Sequence, residues 1–392
     1  MWEKVKLGTL CKMNSGGTPS RSKAAYYENG DIPWVKISDI ENAIGGIIYD
    51  TEEKITTEGL KSINNRIFKP GTLLLAMYGS VGKVAFIKKE MSTNQAILGI
   101  NILRTDLLSY KYLKLWFTTI KENLSNRAVG GVLKNISLGI VKDLEIPLPP
   151  LQIQERIAEI LDKADELRRK DKDLQEKYDQ LAKAIFIDMF GDPVKNDKGW
   201  EKGTIRDLVQ EVKYGTSSPA EENGSYPYLR MNNITYEGYW DFSNLKYINA
   251  TDTDYAKYGL EYNDLIFNRT NSKELVGKTA LYKSSERVII AGYLIRVRVN
   301  SLAHPDYISA YLNSSHGKKT LANMCKNIVG QANINAQELQ DIKILIPPLY
   351  LQEEFAKKIE LINELKAKVN AEKSEELFQS LLQKAFKGEL VS

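Results

Sequence analysis

Apolar residues recur at alternating spacings of four and three between residues 153 and 185, in the middle of the chain. This period places them on one face of a long helix and is typical of a coiled coil. Pro149 and Pro150 precede the stretch and fit the first turn of a helix, and Gly191 marks its end. One polar member of the seam, Asp171, would either fix the register of a buried seam or lie exposed where the seam frays. The predicted seam consists of Ile153, Ile157, Ile160, Ala164, Leu167, Asp171, Leu174, Tyr178, Leu181 and Ile185.

A second apolar stripe near the end of the sequence repeats this pattern with a phase slip at Asn370, and Gly388 ends it. Each helix of about 38 residues would be about 55 Å long at ~1.5 Å per residue. Neither helix can bury its stripe alone, so the pattern predicts that the two pair antiparallel. The alternative is that each helix contacts only its own neighbouring block. The positions of the second stripe are Leu351, Phe355, Ile362, Leu365, Val369, Ala371, Ser374, Phe378, Leu381 and Ala385.

The two blocks outside these helices contain short β-like runs separated by turns. A glycine-containing turn at residues 79–82 separates two apolar runs, which predicts a hairpin. Residues 288–299 alternate in part, like a half-buried strand. The predicted strands cover residues 72–78, 84–88, 264–268, 279–282 and 288–299, and short amphipathic helices are predicted at 110–121 and 306–313.

Blocks and helices together form a tandem repeat, in which Pro149, Leu151 and Gln154 return as Pro347, Leu349 and Gln352. Inside the blocks, residues 17–18 return as 215–216, and 81–83 as 276–278. The predicted fold class is α+β, with two pseudo-repeated mixed α/β domains separated by two long helices that pair as an antiparallel coiled coil. The predicted boundaries are 1–148 and 193–346 for the domains, and 149–192 and 347–392 for the helices.

Composition and charge narrow the functional classes only slightly. The chain of 392 residues has a formal net charge of +4, with about +6 on the first block and about +2 on the second. This charge allows a polyanionic partner, but a solvated surface of mixed charge explains it equally well. Cys11 and Cys325 stand far apart, and the sequence contains neither a long apolar span nor a signal-peptide pattern. We therefore expect a cytoplasmic, reduced protein.

Motifs for catalysis are missing from the sequence. His304 and His316 are the only histidines, which leaves little material for acid–base or metal chemistry. The sequence contains no nucleotide-binding Gly-x-x-x-x-Gly-Lys-Ser/Thr, and no Asn/Asp-Pro-Pro-Tyr/Phe of the kind that holds a target base in amino-methyltransferases. Residues 79–83 suggest a phosphate loop only weakly, because they lie in a hairpin. We predict a protein that is not an enzyme and has no cofactor or metal site of its own.

The arrangement resembles the specificity (S) subunit of type I restriction–modification enzymes. The resemblance covers the whole chain and is strongest at residues 146–162 and at the Met-Phe-Gly-Asp-Pro sequence of residues 189–193. Trp2 and Trp200 at the start of the two blocks and residues 17–20 also fit the family. The second helical copy departs from the family pattern at Phe355 and Lys358.

The resemblance implies a non-catalytic DNA reader in which each block is a target-recognition domain for one half of a split, asymmetric site. It implies that the helices set the gap between the half-sites and dock two methyltransferase (M) subunits. With these the assembly would be an adenine-N6 methyltransferase, and with two restriction (R) subunits an ATP-dependent endonuclease. AdoMet, ATP and Mg would then belong to the partner subunits, the ligand would be double-stranded DNA, and no membrane would be involved. The rival interpretations are a self-contained methyltransferase or nuclease, and a coiled-coil scaffold without DNA function.

Candidate DNA-contacting residues are cationic, amide and hydroxyl side chains in glycine-rich turns, because these residue types contact base edges and phosphates. The loop at residues 269–273 is the best single candidate, since it departs most from its counterpart in the first block. Glycine-rich segments at residues 130–131 and 330–331 would either approach a DNA backbone or form ordinary turns. The candidates are Ser15, Gly17, Thr18, Lys36, Ser38, Tyr78, Ser80, Lys83, Asn94, Gln95 and Lys134 in the first block, and Lys213, Tyr214, Thr216, Arg230, Asn232, Asn233, Arg269, Asn271, Lys278, Gln331 and Asn333 in the second.

Apolar residues near the end of the central helix are candidates for docking the M subunits. Ile187, Met189 and Phe190 lie outside the predicted seam, and a monomer gains little by exposing them. The alternative is that they pack against the second block.

Overall fold

The computed structural model describes residues 2–127, 136–272, 275–325 and 332–391. The chain folds as two compact units. Unit 1 consists of Met1–Lys172 and Ala371–Ser392, and unit 2 consists of Asp173–Asn370. Each unit therefore combines one block with parts of both repeated helical segments. In the described part of the chain, no helix has the length and hydropathy needed to cross a membrane.

Unit 1 is built on a five-stranded sheet of order β2-β9-β6-β7-β4, a three-stranded sheet of order β5-β3-β8 and the pair β1–β10. Its strands are β1 (Lys4–Lys6), β2 (Cys11–Ser15), β3 (Ile32–Val35), β4 (Ile47–Ile48), β5 (Lys54–Ile55), β6 (Leu73–Ala76), β7 (Val84–Ile87), β8 (Ser92–Thr93), β9 (Ile97–Ile102) and β10 (Glu145–Pro147). Its helices are α1 (Leu7–Leu10), α2 (Ile37–Glu41), α3 (Thr57–Ser62), α4 (Tyr110–Arg127), α5 (Leu138–Lys142) and the first part of α6 (Leu151–Phe190), with α12 (Ala371–Lys387) at the end of the chain.

Unit 2 repeats this plan with sheets of order β12-β19-β15-β17 and β14-β13-β18 and with the pairs β11–β21 and β16–β20. Its strands are β11 (Glu201–Thr204), β12 (Val209–Tyr214), β13 (Tyr226–Leu229), β14 (Lys246–Ile248), β15 (Leu265–Asn268), β16 (Thr270–Asn271), β17 (Thr279–Leu281), β18 (Ile289–Ile290), β19 (Leu294–Val299), β20 (Ala332–Asn333) and β21 (Lys343–Ile346). Its helices are the second part of α6, α7 (Asp252–Tyr258), α8 (Pro305–Asn313), α9 (Ser315–Met324), α10 (Ala336–Gln340) and α11 (Leu349–Lys368). The mixed α+β class predicted for both blocks is confirmed.

The central strand β6 is buried on both faces, which explains its unbroken apolar sequence. Leu73 and Leu75 face one apolar core, whereas Leu74 and Ala76 face another. This alternation follows from the two-residue period of a strand. β15 is likewise fully buried in unit 2.

The predicted hairpin of the first block is confirmed, since β6 and β7 pair antiparallel around residues 77–83. The run at residues 288–299 is instead two strands, β18 and β19. The break is at residues 291–293, where Gly292 donates its N–H to the Thr216 carbonyl at 2.7 Å.

The two long helical segments differ in continuity. The central one is a single helix, α6, whereas the C-terminal one is divided into α11 and α12 at the predicted phase slip. The predicted seam on α6 needs a correction, because three of its leucines are exposed. The buried stripe in unit 1 keeps Ile157 and Ala164 of the predicted seam and adds Leu161, since α6 packs there against α4 and α12. The exposed seam leucines are Leu167, Leu174 and Leu181.

Within unit 1, α12 and α6 contribute to one core. Phe378, Leu382 and Ala385 of α12 join the cluster that contains the stripe of α6. Arg168 bonds the Glu375 carboxylate at 2.8 Å, and its guanidinium lies 4.9 Å from the ring centroid of Phe378.

Within unit 2, α11 contacts the second part of α6. Phe355 packs edge-on against Phe186 and Phe190, with ring centroids 5.7 and 5.3 Å apart. Lys366 Nζ donates to Asp179 at 2.5 Å and to the Tyr239 hydroxyl at 2.8 Å, which ties both helices to a loop of the second block.

The repeated glutamine explains why the Pro-Pro-Leu-x-x-Gln sequence occurs twice. In unit 1 the Gln154 amide is fully buried and donates to the carbonyls of Leu107 and Pro149, both at 2.7 Å, while it accepts from the Ser109 N–H at 2.8 Å. In unit 2 the Gln352 amide is also fully buried and makes the equivalent bonds to Leu302, Pro347 and His304. A buried amide with all its partners satisfied fixes the start of each helix against its own block.

Candidate nucleic-acid interface

A cluster of surface side chains lies at one edge of the main sheet of unit 2. Tyr214 ends β12, Arg269 follows β15, and Asn333 lies in β20. The Arg269 guanidinium lies 4.7 Å from the centroid of the Tyr214 ring, and its Nε donates to Asn333 Oδ1 at 3.2 Å. Tyr293, whose carbonyl accepts the Arg269 N–H at 3.0 Å, is about half exposed. We call these four residues the Arg269 cluster.

Local structure holds the Arg269 cluster in place. The Tyr214 hydroxyl accepts the Ala336 N–H at 2.9 Å, which anchors the ring to the start of α10. The β16–β20 pairing sets Thr270 opposite Asn333, so the loop that carries Arg269 is joined to β20 by main-chain bonds. Asn271 follows on this loop, partly exposed.

The chemistry of the Arg269 cluster suits nucleic acid. Among the described residues, no carboxylate lies within ion-pairing distance of Arg269, so its terminal nitrogens are not neutralised by a described acid. Guanidinium planes and tyrosine rings contact bases and phosphates, and an asparagine amide can pair with adenine. Lys213, next in sequence to Tyr214, pairs instead with Glu211 at 2.7 Å.

Several candidates of unit 1 gather at the corresponding edge of its sheet. Ser15 pairs with Leu98, and Ala76 pairs with Ile97, so the ends of β2, β6 and β9 lie side by side. Next to these ends the chain carries the exposed side chains of Tyr78 and Gln95 and the partly exposed Thr18 and Asn94. This edge has hydroxyl, amide and aromatic groups.

The cations predicted in unit 1 are paired with acids. Lys36 Nζ lies 3.1 Å from Glu53, and Lys83 Nζ lies 3.8 Å from Glu41. The Ser80 hydroxyl also donates to Glu41. Ser38 is exposed on α2. The positive charge of the first block is thus partly compensated at the places where the sequence suggested phosphate contacts.

The turns at residues 17–18 and 215–216 do not correspond residue by residue as the sequence repeat predicts. Their correspondence is offset by one residue. The Trp34 ring N–H donates to the Gly17 carbonyl at 3.0 Å, and the Tyr228 hydroxyl donates to the Thr216 carbonyl at 2.8 Å. Gly17 therefore corresponds to Thr216 and not to Gly215. The cause is an irregularity in β12 between residues 209 and 211, which adds one residue to that strand.

Two candidates of unit 2 lie inside the fold. Asn233 is buried, accepts the Arg230 N–H at 2.9 Å and donates to the Asp241 carbonyl at 2.8 Å. Lys278 is buried and donates to the carbonyls of Met231 and Ile234, and desolvation lowers its pKa. Both side chains are hydrogen-bonded inside unit 2, so neither belongs to the candidate interface.

The other candidates of unit 2 lie nearer the surface. Arg230 is partly exposed and donates to the Asn244 carbonyl at 2.8 Å, and Asn232 is exposed beside it. Thr216 is partly exposed, with its hydroxyl 3.0 Å from that of Ser218. Lys134 and Gln331, and the glycine-rich segments at 130–131 and 330–331, lie outside the described residues.

The predicted docking residues do not share one environment. Ile187 is about half exposed, and Met189 is partly buried against the core of unit 2. Phe190, a predicted docking residue, is buried and so follows the alternative of packing against the second block. Its ring centroid lies 4.7 Å from that of Tyr307 and 5.3 Å from that of Phe355.

Sequence reasoning missed Tyr293 and the exposed leucines of α6. A local signal for Tyr293 exists, because it follows Gly292 where the apolar run 288–299 is interrupted. The helical period predicts a buried seam for these leucines, and no local signal distinguishes a buried from an exposed position. In the described part of the chain, no group of three or more His, Cys, Asp or Glu side chains could hold a metal ion.

Comparison with known proteins places these features in a family. Residues 1–176 and 197–379 each match the family described as "Type I restriction modification DNA specificity domain". The EcoKI specificity subunit of Escherichia coli is 25% identical over 427 aligned residues that cover the whole of this chain and 89% of the relative. The MjaIX specificity subunit of Methanocaldococcus jannaschii is 30% identical over 254 residues, and this match covers 59% of this chain and 58% of the relative.

Solved structures support the same fold. The S subunit of a type I restriction–modification system from M. genitalium superposes with a TM-score of 0.64 at 16% identity, over 98% of this chain and 96% of the other. A chain from a study of complex assembly and conformational transition of the type I R-M system gives a TM-score of 0.53 at 18% identity, over 99% and 98% of the two chains. The two matched domains together span most of the sequence, and the chain therefore belongs to the type I restriction–modification DNA specificity family.

Proposed function

We propose that this chain is the non-catalytic specificity subunit of a type I restriction–modification system and binds double-stranded DNA at a split site. The observation that carries the proposal is the Arg269 cluster, in which a guanidinium with no ion-pair partner among the described residues is stacked on an exposed tyrosine beside an amide. The family match supports it, and so do the names of the relatives, which are specificity subunits.

In this proposal each unit binds one half-site, and the two half-sites differ in sequence. The two edges have different chemistry, since Tyr214 and Arg269 in unit 2 stand where unit 1 has Ser15 and Met77. Because bases are distinguished by the donors and acceptors that face them, different side chains at equivalent positions select different bases. The complete site would therefore be asymmetric.

The long helices would act as the spacer between the units and as the docking surface for two M subunits. Half-sites on one face of B-DNA recur about every 34 Å, and a pair of long helices supplies a stiff element of that scale. The contacts of α6 with α12 in unit 1 and with α11 in unit 2 support an antiparallel pairing. Two R subunits would join the complex to cleave DNA. AdoMet, ATP and Mg would bind to these partner subunits and not to this chain. The assembly would act in the cytoplasm.

Single-molecule mapping of DNA methylation tests this function directly. DNA would be compared from cells that express this chain with its M subunit and from cells that express the M subunit alone. We expect a new motif of two short half-sites separated by a fixed gap, with a methylated adenine in each half-site. A soluble, associated pair of proteins that produces no motif would contradict the proposal and would favour a scaffold without DNA function.

A further inference from the structure

Arg269 and Met77 occupy equivalent positions in the two units. Each lies directly after the central strand of its sheet, donates its N–H to one loop and accepts a main-chain bond from another. The bonding partners are Tyr293 (3.0 Å) and Ile334 (2.8 Å) in unit 2, and Ala96 (2.8 Å) and Ile136 (3.0 Å) in unit 1. The main chain is held in the same way, but the Met77 side chain is buried in the core, whereas Arg269 is partly exposed.

The Arg269 side chain is oriented before any ligand binds. One face of the guanidinium lies on the Tyr214 ring, and Nε is bonded to Asn333. The donors that remain are the two terminal nitrogens, and no hydrogen bond joins either of them to another described side chain. Because the planar guanidinium of Arg269 is already held in place, it loses little conformational entropy when its two terminal nitrogens form parallel hydrogen bonds.

We propose that Arg269 reads a guanine in the half-site bound by unit 2, with its terminal nitrogens donating to guanine O6 and N7. Guanine is the base that presents two acceptors side by side in the major groove, and a guanidinium fork matches them. At the equivalent position of unit 1, Met77 carries no donor, so that side chain cannot make this contact. The inference rests on the proposed function and names one base contact within it.

An arginine at this place could instead contact a phosphate, and the two roles predict different results. Loss of a phosphate contact weakens binding to all sequences about equally, whereas loss of a base contact relaxes selection at one position. The test must therefore measure sequence preference as well as affinity.

The test compares methylation motifs in cells that express the M subunit with the full chain as wild type, Arg269→Met or Arg287→Met. Arg269→Met gives unit 2 the residue of unit 1. Arg287 is a matched control, because it is also an exposed arginine stacked on an aromatic ring, 4.1 Å from Tyr255, but it is engaged by Asp252 at 2.6 Å.

We expect Arg269→Met to lose selection for guanine at one position of one half-site, with the other half-site unchanged and with Arg287→Met equal to wild type. An unchanged motif in Arg269→Met, or a uniform loss of methylation at all sites, overturns the inference and leaves the proposed function in place. Absence of a split motif in the wild type overturns both.

A second measurement needs no variant that could misfold. Each guanine of the mapped half-site is replaced in turn by 7-deazaguanine, which lacks the N7 acceptor, and binding of the wild-type chain with its M subunit is measured. We expect a loss of about 10- to 100-fold at one guanine, as for one lost hydrogen bond to a charged group, and little change at the others. Equal losses at every guanine, or none, overturn the inference.

Discussion

Gln154 donates a hydrogen bond from its buried side-chain amide to the Pro149 carbonyl at 2.7 Å, across the first turn of α6. The same amide bonds Leu107 and Ser109, so a single side chain joins the block to the helix. Gln352 forms the same arrangement in unit 2.

Replacement of this amide should destabilise unit 1. Gln154→Leu leaves a main-chain N–H and two carbonyls without their partner, and we expect a loss of about 2–4 kcal/mol in the free energy of unfolding. Chemical denaturation measures it. Gln152→Leu is the control, because Gln152 lies on the same turn but is exposed. Equal effects of the two substitutions would contradict the role assigned to Gln154.

Lys318 should make the stability of unit 2 depend on pH. Its Nζ is buried without a hydrogen-bond partner among the described residues, and desolvation lowers its pKa to about 8. The unfolded state, with a pKa near 10.5, then binds more protons than the folded state between pH 8 and 10.5, so stability rises with pH in that window. Below pH 8 the cost of the buried charge is fully present.

Lys318→Met should therefore stabilise the protein at pH 7, by about 1–2 kcal/mol, because it removes a buried charge and keeps an apolar chain of similar length. The advantage over the wild type should shrink as pH rises from 8 towards 9.5, in denaturation curves measured at each pH. Lys319→Met, at an exposed position on the same helix, should change little. A gap that stays constant with pH would exclude Lys318 as its cause.

The Lys366 anchor should contribute to the stability of unit 2. Its side chain is mostly buried and bonds both Asp179 and Tyr239, with Nζ 4.0 Å from the centroid of the Tyr239 ring. Lys366→Met should lower the free energy of unfolding by about 1–3 kcal/mol, because it leaves the Asp179 carboxylate unpaired. Lys358→Met is the matched control on α11, since Lys358 forms an exposed pair with Glu354 and a long contact of 3.8 Å with Met189 Sδ. A double-mutant cycle with Asp179→Asn that gives no coupling energy would refute the anchor.

Tyr214 should support DNA binding through Arg269. Tyr214→Leu removes the ring below the guanidinium, and we expect DNA affinity to fall by about 2- to 5-fold, as for the loss of one exposed cation–π contact. Fluorescence anisotropy with a duplex that carries the mapped site, and with the M subunit present, measures this change. Tyr262→Leu is the comparison, because Tyr262 is also an exposed tyrosine near a cation, Lys283, but lies outside the Arg269 cluster. If both variants bind equally, Tyr214 has no special role.

Local patterns predicted much of the fold. The continuous apolar run of β6, the turn after it and the helical period of α6 each depend on neighbouring residues, so they can be recognised without knowing what packs against them. The phase slip near Asn370 likewise marked the break between α11 and α12. The prediction for the leucines of α6 is wrong for the opposite reason, since which face of a helix is buried depends on the segments that pack against it.

The tandem architecture follows from the sequence alone, because a block–helix pattern that repeats along the chain can be recognised without any knowledge of contacts. Which side chains meet depends on the folded structure. Tyr214 and Asn333 lie in β12 and β20, Arg269 directly follows β15, and β-sheet pairing brings these distant segments together. Strand pairing likewise shows that Gly17 corresponds to Thr216 and not to Gly215, because β12 contains one extra residue. Strand register is a property of the pairing between distant segments, and it places each side chain on the edge, in the core or at the surface.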